Sequence, residues 1–370
     1  MRNRLQFSAF LVACGVTFAA TSVSAQPSKA EWEKAVESAK KEGKAVVSIP
    51  ASPELRKLIE EGFKKRYSGI DLELFPARGT SITRRIVEES KAGVRNFDIH
   101  IGGTNSIING LLDEGVLEPI EPYFVLPEVK DPKNWWGGHM WVDRAKKYVY
   151  NFQAYLTEST WRNETLTKAE EFKTLDDLLN PKWKNRIGIL DPRTPGAGDS
   201  NWAFLWQVKG EEYLKKLAAQ NLSLGRDQRV LGESLAKGKI ALVLGLTYYS
   251  LLPFINAGLP VKPIQHLKEG TFGTGGSGNI SLIKNLPHPN ATKVFLNWLL
   301  TKEGQEVTTK ALGQATRRLD VDTKWLNEVG VLPAKDHLSV KDYLEVENQS
   351  EEKLEKVREP AIKLAHKLFN

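Results

Sequence analysis

The stretch G-K-I-A-L-V-L-G-L-T-Y-Y-S, residues 238–250, is the segment that decides how this chain can fold. Its unbroken apolar run, 240–244, is typical of a strand buried on both faces of a mostly parallel sheet. Gly238 before the run is a good left-handed cap for a preceding helix. Tyr248 and Tyr249 then follow the carboxyl end of the strand, where open α/β sheets bind ligands. The alternative role for the pair is packing, because tyrosine buries a ring and keeps a polar tip.

Strand and helix patterns alternate on both sides of this stretch. Apolar or alternating runs predict strands that are each followed by a helical pattern, at 44–49, 70–75, 97–101 and 187–190. This order is typical of βαβ units and predicts an α/β fold. A chain of 370 residues exceeds the size at which single cores stop growing, so two lobes are expected.

The lobe boundaries follow from breaks in the alternation. The pattern fails near Trp135, a crossover strand is predicted at 147–152, and a glycine-rich return, T-F-G-T-G-G-S-G-N, occupies 271–279. We therefore expect the chain to divide as follows: a first lobe of 26–143 plus 271–316, a second lobe of 144–269, and a helical C-terminal segment, 317–370, that packs on the lobes.

The composition is that of a globular protein, with 41% hydrophobic residues, 10 Trp and 14 Phe. The formal net charge of +7 falls by two, to +5, when Arg2 and Arg4 are removed with a leader peptide. This balance suits an anionic ligand. The basic residues are spread along the chain without a basic block that interleaves aromatics, so nucleic acid is not expected as a partner.

The amino terminus has the features of a cleavable signal peptide at 1–25. A short basic start is followed by an apolar run and by the small residues Val23-Ser24-Ala25. The expected location is therefore the periplasm. Cleavage after Ala25 is favoured over lipid anchoring at Cys14, because the apolar run continues beyond that cysteine. The mature chain then has no cysteine, and its core alone must stabilise it.

The order of these motifs resembles the substrate-binding proteins of bacterial ABC importers, and is most similar to their ferric-ion-binding branch. The resemblance rests on P-K-W-K-N-R-I-G, residues 181–188, and on the tyrosine pair after a buried strand. It implies a two-lobe, type II periplasmic-binding-protein fold, with a ligand cleft between lobes that are joined by a hinge. It also implies a monomer that is not an enzyme and that delivers a small ligand to a permease in the inner membrane.

For the ferric branch, the resemblance implies that Tyr248 and Tyr249 bind the metal as phenolates. It also implies a third tyrosine ligand at Tyr150 and an anion-holding arginine at Arg144. Fe(III) with a synergistic anion is then the transported ligand, and no prosthetic group is expected. A hard trivalent ion favours oxygen donors and can drive loss of the phenol proton. Two loops depart from that branch, because 49–52 and 102–105 lack its usual histidine, tyrosine or glutamate ligand.

The alternative ligand is an organic or phosphorylated anion in the same cleft. Three hydroxyl-rich loops each precede a predicted helix, where free backbone N–H groups attract an anion. Together with Arg144, the residues expected to bind such a ligand are Arg78, Thr80, Ser81, Thr104, Asn105, Arg193, Thr194 and Ser200. In particular, Arg78, Arg144 and Arg193 are predicted to face one cleft, because a guanidinium binds carboxylate or phosphate with a planar fork.

A secreted hydrolase is the weakest of the three hypotheses. Gly198-Asp199-Ser200 offers a serine, but the last third of the chain has no Asp-x-x-His motif. The six histidines are scattered and show no metal-ligand spacing. A helix-cap role for Asp199 or Ser200 is favoured instead.

Overall fold

The computed structural model describes residues 29–369, so the predicted signal peptide at 1–25 and Cys14 lie outside the described residues. The strands are β1 (Lys44–Pro50), β2 (Asp71–Ala77), β3 (Ile99–Gly102), β4 (Leu117–Glu118), β5 (Met140–Trp141), β6 (Tyr150–Asn151), β7 (Tyr155–Thr157), β8 (Thr160–Asn163), β9 (Ile187–Leu190), β10 (Ser223–Gly225), β11 (Leu242–Leu244), β12 (Val261–Pro263), β13 (Phe272–Thr274), β14 (Asn279–Ile283) and β15 (Val331–Pro333).

The helices alternate with these strands. They are α1 (Lys29–Glu42), α2 (Pro53–Arg66), α3 (Gly79–Lys91), α4 (Thr104–Ile107), α5 (Pro127–Lys130), α6 (Ala197–Ala218), α7 (Gln228–Ala236), α8 (Tyr248–Asn256), α9 (Pro289–Leu300), α10 (Lys302–Leu312), α11 (Ala334–His337), α12 (Val340–Val346), α13 (Glu351–Lys353) and α14 (Glu359–Leu368). Two π-helical turns, Ile108–Leu112 and Leu354–Arg358, extend α4 and join α13 to α14. Short 3-10 turns occur at Glu121–Tyr123, Pro132–Asn134, Ala169–Glu171, Leu175–Leu179, Pro181–Trp183 and Lys324–Val329.

The first lobe is the part built on a seven-stranded sheet in the order β2-β1-β3-β14-β6-β5, with β4 paired to β14. Strand β1 runs parallel to β2 and β3, whereas β14 is antiparallel to β3. Side chains alternate across β1, so Val47 and Ile49 enter one hydrophobic core and Val46 enters the core on the other face. Helices therefore cover both faces of this sheet.

The second lobe is built on a five-stranded sheet in the order β10-β9-β11-β8-β12. The run that opened the sequence analysis forms β11 at its centre, parallel to β9 and antiparallel to β8. Leu242 and Leu244 pack in one core, and Val243 packs in the opposite one, so the prediction of a strand buried on both faces is confirmed. Helix α7 ends just before Gly238, whose φ of 70° is the left-handed conformation expected of a capping glycine.

A three-stranded sheet, β13-β7-β15, joins the two lobes. The chain leaves the first sheet after β6 and passes through β7 to β8. It returns through β13 to β14. The strand predicted at 147–152 belongs to the first sheet at Tyr150–Asn151, six residues beyond the predicted start of the second lobe at 144. We therefore propose that the first crossing lies between Asn151 and Thr160.

The C-terminal segment contacts both lobes. The Trp202 indole of α6 donates a hydrogen bond to the Ala361 carbonyl, at 3.0 Å, and Leu354 packs in a first-lobe core with Val142 and Val149. Between residues 29 and 369, no helix combines the length and apolar character needed to span a bilayer.

Candidate functional site

A cavity of about 840 Å³ lies between the lobes, where the parallel strands of both sheets end. Its first-lobe wall comes from the loops after β1, β2 and β3, and its second-lobe wall from those after β9, β10 and β11. Open α/β sheets bind ligands at this edge because each connection there leads from a strand into a helix. The volume is in the range of sites for small molecules.

Six described helices begin at the cavity wall: α2, α3, the extended α4, α6, α7 and α8. Each presents the positive end of its dipole. Ser52 caps α2 and Asp227 caps α7 with a side-chain oxygen. In the other four helices the N-cap residue, which precedes the first helical residue, makes no side-chain capping hydrogen bond; these residues are Arg78, Gly103, Gly196 and Thr247. At two of these starts another side chain accepts a hydrogen bond from the N–H of the capping residue, Asp199 from that of Gly196 and Gln228 from that of Thr247. The other first-turn N–H groups without an intrahelical partner are available to a ligand.

Eight of the residues predicted from sequence line this cavity: Arg78, Thr80, Thr104, Asn105, Thr194, Ser200, Tyr248 and Tyr249. The structure thereby brings together side chains from both lobes. Arg78 of the first lobe forms an ion pair with Asp227 of the second. The Thr104 hydroxyl is buried and makes no hydrogen bond to any described residue.

Three predicted anion ligands lie elsewhere. Ser81 turns its hydroxyl back to donate to the carbonyl of Arg78. Arg144 lies on the outer surface, because it pairs with Glu351 and with a second carboxylate one helical turn further along the C-terminal segment. Arg193 is held behind the cavity wall, as its guanidinium donates to Asp191 and to the carbonyl of Phe369. Of the three arginines predicted to share one cleft, only Arg78 lines it.

Tyr150 also lies away from the cavity, which corrects the predicted third metal ligand. Its ring is fully buried in the first-lobe core among Phe124, Trp135 and Trp141. His139 contacts its hydroxyl, with 3.1 Å between Nδ1 and Oη. Burial raises the pKa of Tyr150 to about 12, against the opposing influence of Arg317. The physical reason is strand alternation, which turns this side chain into the core of the first sheet.

Three tyrosines do line the cavity: Tyr155, Tyr248 and Tyr249. Tyr248 is the first residue of α8 and stacks on Trp161, with 6.5 Å between ring centroids. Tyr249 packs against the first-lobe core. Burial raises the pKa of all three hydroxyls, and the proximity of Tyr249 raises that of Tyr155 further. All three are therefore neutral phenols at neutral pH when no ligand is bound.

His100, the second residue of β3, also lines the cavity, and its Nε2 is free of hydrogen bonds to described residues. Its Nδ1 lies 2.6 Å from Oγ of Ser48. Burial lowers the pKa of His100 to about 4, so the imidazole is neutral at physiological pH. A neutral ring offers a polar contact to a ligand without adding charge.

Sequence reasoning missed several lining residues, among them Tyr155, Arg226, Arg229, Gln349 and Arg358. Arg226 and Arg229 flank the start of α7, so the rule that ligands meet helix starts after parallel strands would have found them. Arg358 carried no such signal, since it belongs to a charged C-terminal segment in which many residues are exposed.

The charge of the wall is predominantly positive. Four arginines line the cavity, Arg78, Arg226, Arg229 and Arg358, against the single carboxylate of Asp227. Over residues 29–369, no group of three or more histidine, cysteine, aspartate or glutamate side chains is arranged to hold a metal ion. The wall therefore offers a ligand mainly hydrogen-bond donors and positively charged side chains.

Comparison with known proteins agrees with this architecture. The chain is 25% identical over 274 residues to iron uptake protein A1 of Synechocystis sp., covering 66% of this chain and 71% of that protein. It superposes on the periplasmic binding protein AfuA from Actinobacillus pleuropneumoniae, with fructose-6-phosphate bound, at a TM-score of 0.67 and 19% identity, covering 88% and 99% of the two chains. It superposes on iron-bound HitA from Pseudomonas aeruginosa at a TM-score of 0.64 and 17% identity, covering 88% of this chain and 99% of that one. These solved structures share the two-lobe fold.

Residues 48–306 match the sequence profile described as bacterial extracellular solute-binding protein. The match spans most of the chain and includes all six helix starts at the cavity's two walls as well as the tyrosine pair. Proteins of this family bind solutes for transport and are not enzymes. The chain belongs to the bacterial extracellular solute-binding protein family.

Proposed function

We propose that this protein is the periplasmic solute-binding component of an ABC importer, and that its ligand is a small organic anion with a phosphate or carboxylate group. It acts as a monomer, because one chain supplies a complete cavity, and it delivers the ligand to a membrane permease. The observation that carries the choice of ligand is the convergence of six helix starts, four of them without a side-chain cap, on one cavity.

The electrostatic argument favours an anion over a cation. Helix amino termini carry partial positive charge, and they bind phosphate or carboxylate through their free N–H groups. The wall also carries four arginines, of which three pair with carboxylates, Arg78 with Asp227, Arg226 with Asp191 and Arg358 with Asp199, so the helix starts supply most of that field. A bare trivalent cation would meet the same field as repulsion, and Asp227 is the single carboxylate on the wall, already paired with Arg78.

Ferric iron with a synergistic anion is the second candidate. The specific observation in its favour is that Tyr155, Tyr248 and Tyr249 share the cavity wall, two of them adjacent in sequence. Phenolate oxygens suit a hard ion. Burial raises the pKa of these tyrosines, so the metal itself must displace their protons. The related proteins named above include an iron uptake protein, an iron-bound HitA and AfuA with fructose-6-phosphate bound.

A thermal-shift panel separates the two candidates, because a ligand that binds only the folded protein raises its melting temperature. The purified protein is heated with inorganic phosphate, fructose 6-phosphate, citrate or ferric citrate. We expect an organic phosphate or iron-free citrate to raise the melting temperature without visible colour. The anion proposal fails if ferric citrate alone gives a shift, together with a visible phenolate-to-iron band that Tyr248→Phe and Tyr249→Phe abolish.

A further inference from the structure

Arg358 reaches the cavity from the C-terminal segment, outside the region that the family profile matches. It lies where the π-helical turn Leu354–Arg358 passes into α14. Its side chain is only 2% exposed, yet it forms part of the cavity wall. A buried guanidinium is costly unless its donors are satisfied.

The guanidinium is held from one side only. Its Nη2 donates to Oδ2 of Asp199, at 2.6 Å, and lies 3.5 Å from the carbonyl of Gly196. Nε and Nη1 make no hydrogen bond to any residue between 29 and 369. Asp199 is itself fixed, because it also accepts hydrogen bonds from the backbone N–H of Gly196 and from Asn105.

Arg317 shows what a purely structural buried arginine looks like in this fold. It is equally buried, and every one of its guanidinium nitrogens donates to a backbone carbonyl, of Asn151, Trp136 or Gly138. Neutralising Asp199 requires one contact from Arg358 and leaves two of its nitrogens unused. Unused donors on a fixed, buried cation at a cavity wall indicate a ligand-binding role.

We infer that Arg358 is a specificity-determining ligand contact, which donates Nε–H and Nη1–H to the anionic group of the solute beside the start of α6. This inference rests on the proposed function. The anionic group is a phosphate or a carboxylate, which share this chemistry. The C-terminal segment is thus part of the binding site, and Asp199 positions Arg358 for it.

Isothermal titration with fructose 6-phosphate and with citrate tests the inference and distinguishes the two groups. The variants are Arg358→Gln alone and together with Asp199→Asn, which removes both charges of the buried pair and protects the fold from an unpaired carboxylate. We expect both variants to lose affinity for whichever anion the wild type binds, by about 10- to 100-fold for hydrogen bonds to a charged group. Arg85→Gln, on the outside of α3, is the matched control and should bind as the wild type does.

The outcomes are separable. If the double variant binds as tightly as the wild type, Arg358 only neutralises Asp199 and the inference is wrong, while the proposed function stands. If the wild type binds neither anion and binds ferric citrate, the proposed function fails and the inference fails with it. Melting temperatures of the unliganded variants show whether a lost affinity reflects lost folding.

Discussion

Asn105 in the first lobe donates a hydrogen bond across the cavity to Asp199 in the second lobe, with 2.8 Å between Nδ2 and Oδ2. Both residues are buried. The contact joins the two walls at a point where Asp199 also holds Arg358, so one carboxylate links the two lobes and positions a cavity arginine.

Asn105→Ala should therefore weaken ligand binding by favouring an open arrangement of the lobes. A hydrogen bond to a charged group contributes about 1.5–3 kcal/mol, which corresponds to roughly 10- to 100-fold in affinity. The affinity is measured by titration with the anion that gives the largest thermal shift, and lobe opening by small-angle X-ray scattering. Asn134→Ala is the control, because that side chain bonds the Glu128 carbonyl outside the cavity. An unchanged ligand affinity in Asn105→Ala would show that the Asn105–Asp199 hydrogen bond does not contribute to binding.

Gly313→Ala should impair binding through Tyr248. Gly313 caps α10 with a φ of 59°, and an added Cβ would lie 2.4 Å from Cδ1 of the Tyr248 ring. Gly115→Ala is the matched control, since its φ is 67° and its Cβ would meet nothing within 4 Å. Both variants should lose about 1 kcal/mol of stability from backbone strain. Only Gly313→Ala should also bind the ligand more weakly, as measured by titration. Equal ligand affinities for the two variants would show that the Tyr248 ring can move aside without affecting binding.

His100 should make the protein sensitive to mild acid. Its pKa is lowered to about 4, so between pH 6.5 and 4 the unfolded chain binds the proton more readily than the folded chain, and stability falls as pH falls. His100→Gln should lessen this loss by up to about 3 kcal/mol at pH 4. Urea unfolding at pH 7, 5.5 and 4 measures this change in the free energy of unfolding. The exposed His366→Gln should follow the wild type, and parallel curves for all three proteins would contradict the assignment.

Asp191 should contribute stability that disappears only in strong acid. Burial opposes its ionisation, but the hydrogen bonds from Arg193 and Arg226 lower the pKa of Asp191 to about 2. The contribution is complete above the unfolded-state pKa near 4 and is lost as pH falls through about 2. Asp191→Asn should cost about 2 kcal/mol in urea unfolding at pH 7. Asp176→Asn, which breaks an exposed ion pair, should cost less than about 1 kcal/mol. A similar loss of stability in both variants would show that the buried Asp191 carboxylate contributes no more than an exposed one.

Much of the fold could be predicted from sequence because apolar periodicity reports burial directly. The strand predicted at 187–190 is β9, and the strand predicted at 44–49 lies within β1. Residues that follow parallel strands, such as Thr104 and Tyr248, were placed at the cavity by the same local rule.

The remaining site residues depend on contacts between distant parts of the chain. Arg144 was predicted to hold an anion, but Glu351, more than 200 residues later, draws it to the surface. Arg358 enters the cavity because α6 and α14 pack together, which no local pattern indicates. Tyr150 and Tyr155 occupy similar sequence surroundings, and only the pairing of β6 and β7 in different sheets separates core from cavity.

The position of β14 has a consequence for biosynthesis. This strand lies between β3 and β6 inside the first sheet, and Asn279 pairs with Gly102, which is made 177 residues earlier. Until β14 is synthesised, the first half of the chain holds an incomplete sheet with β3 as an open edge. The amino-terminal lobe therefore cannot complete its sheet until β14 has been synthesised. Contacts between residues this distant in sequence also form slowly.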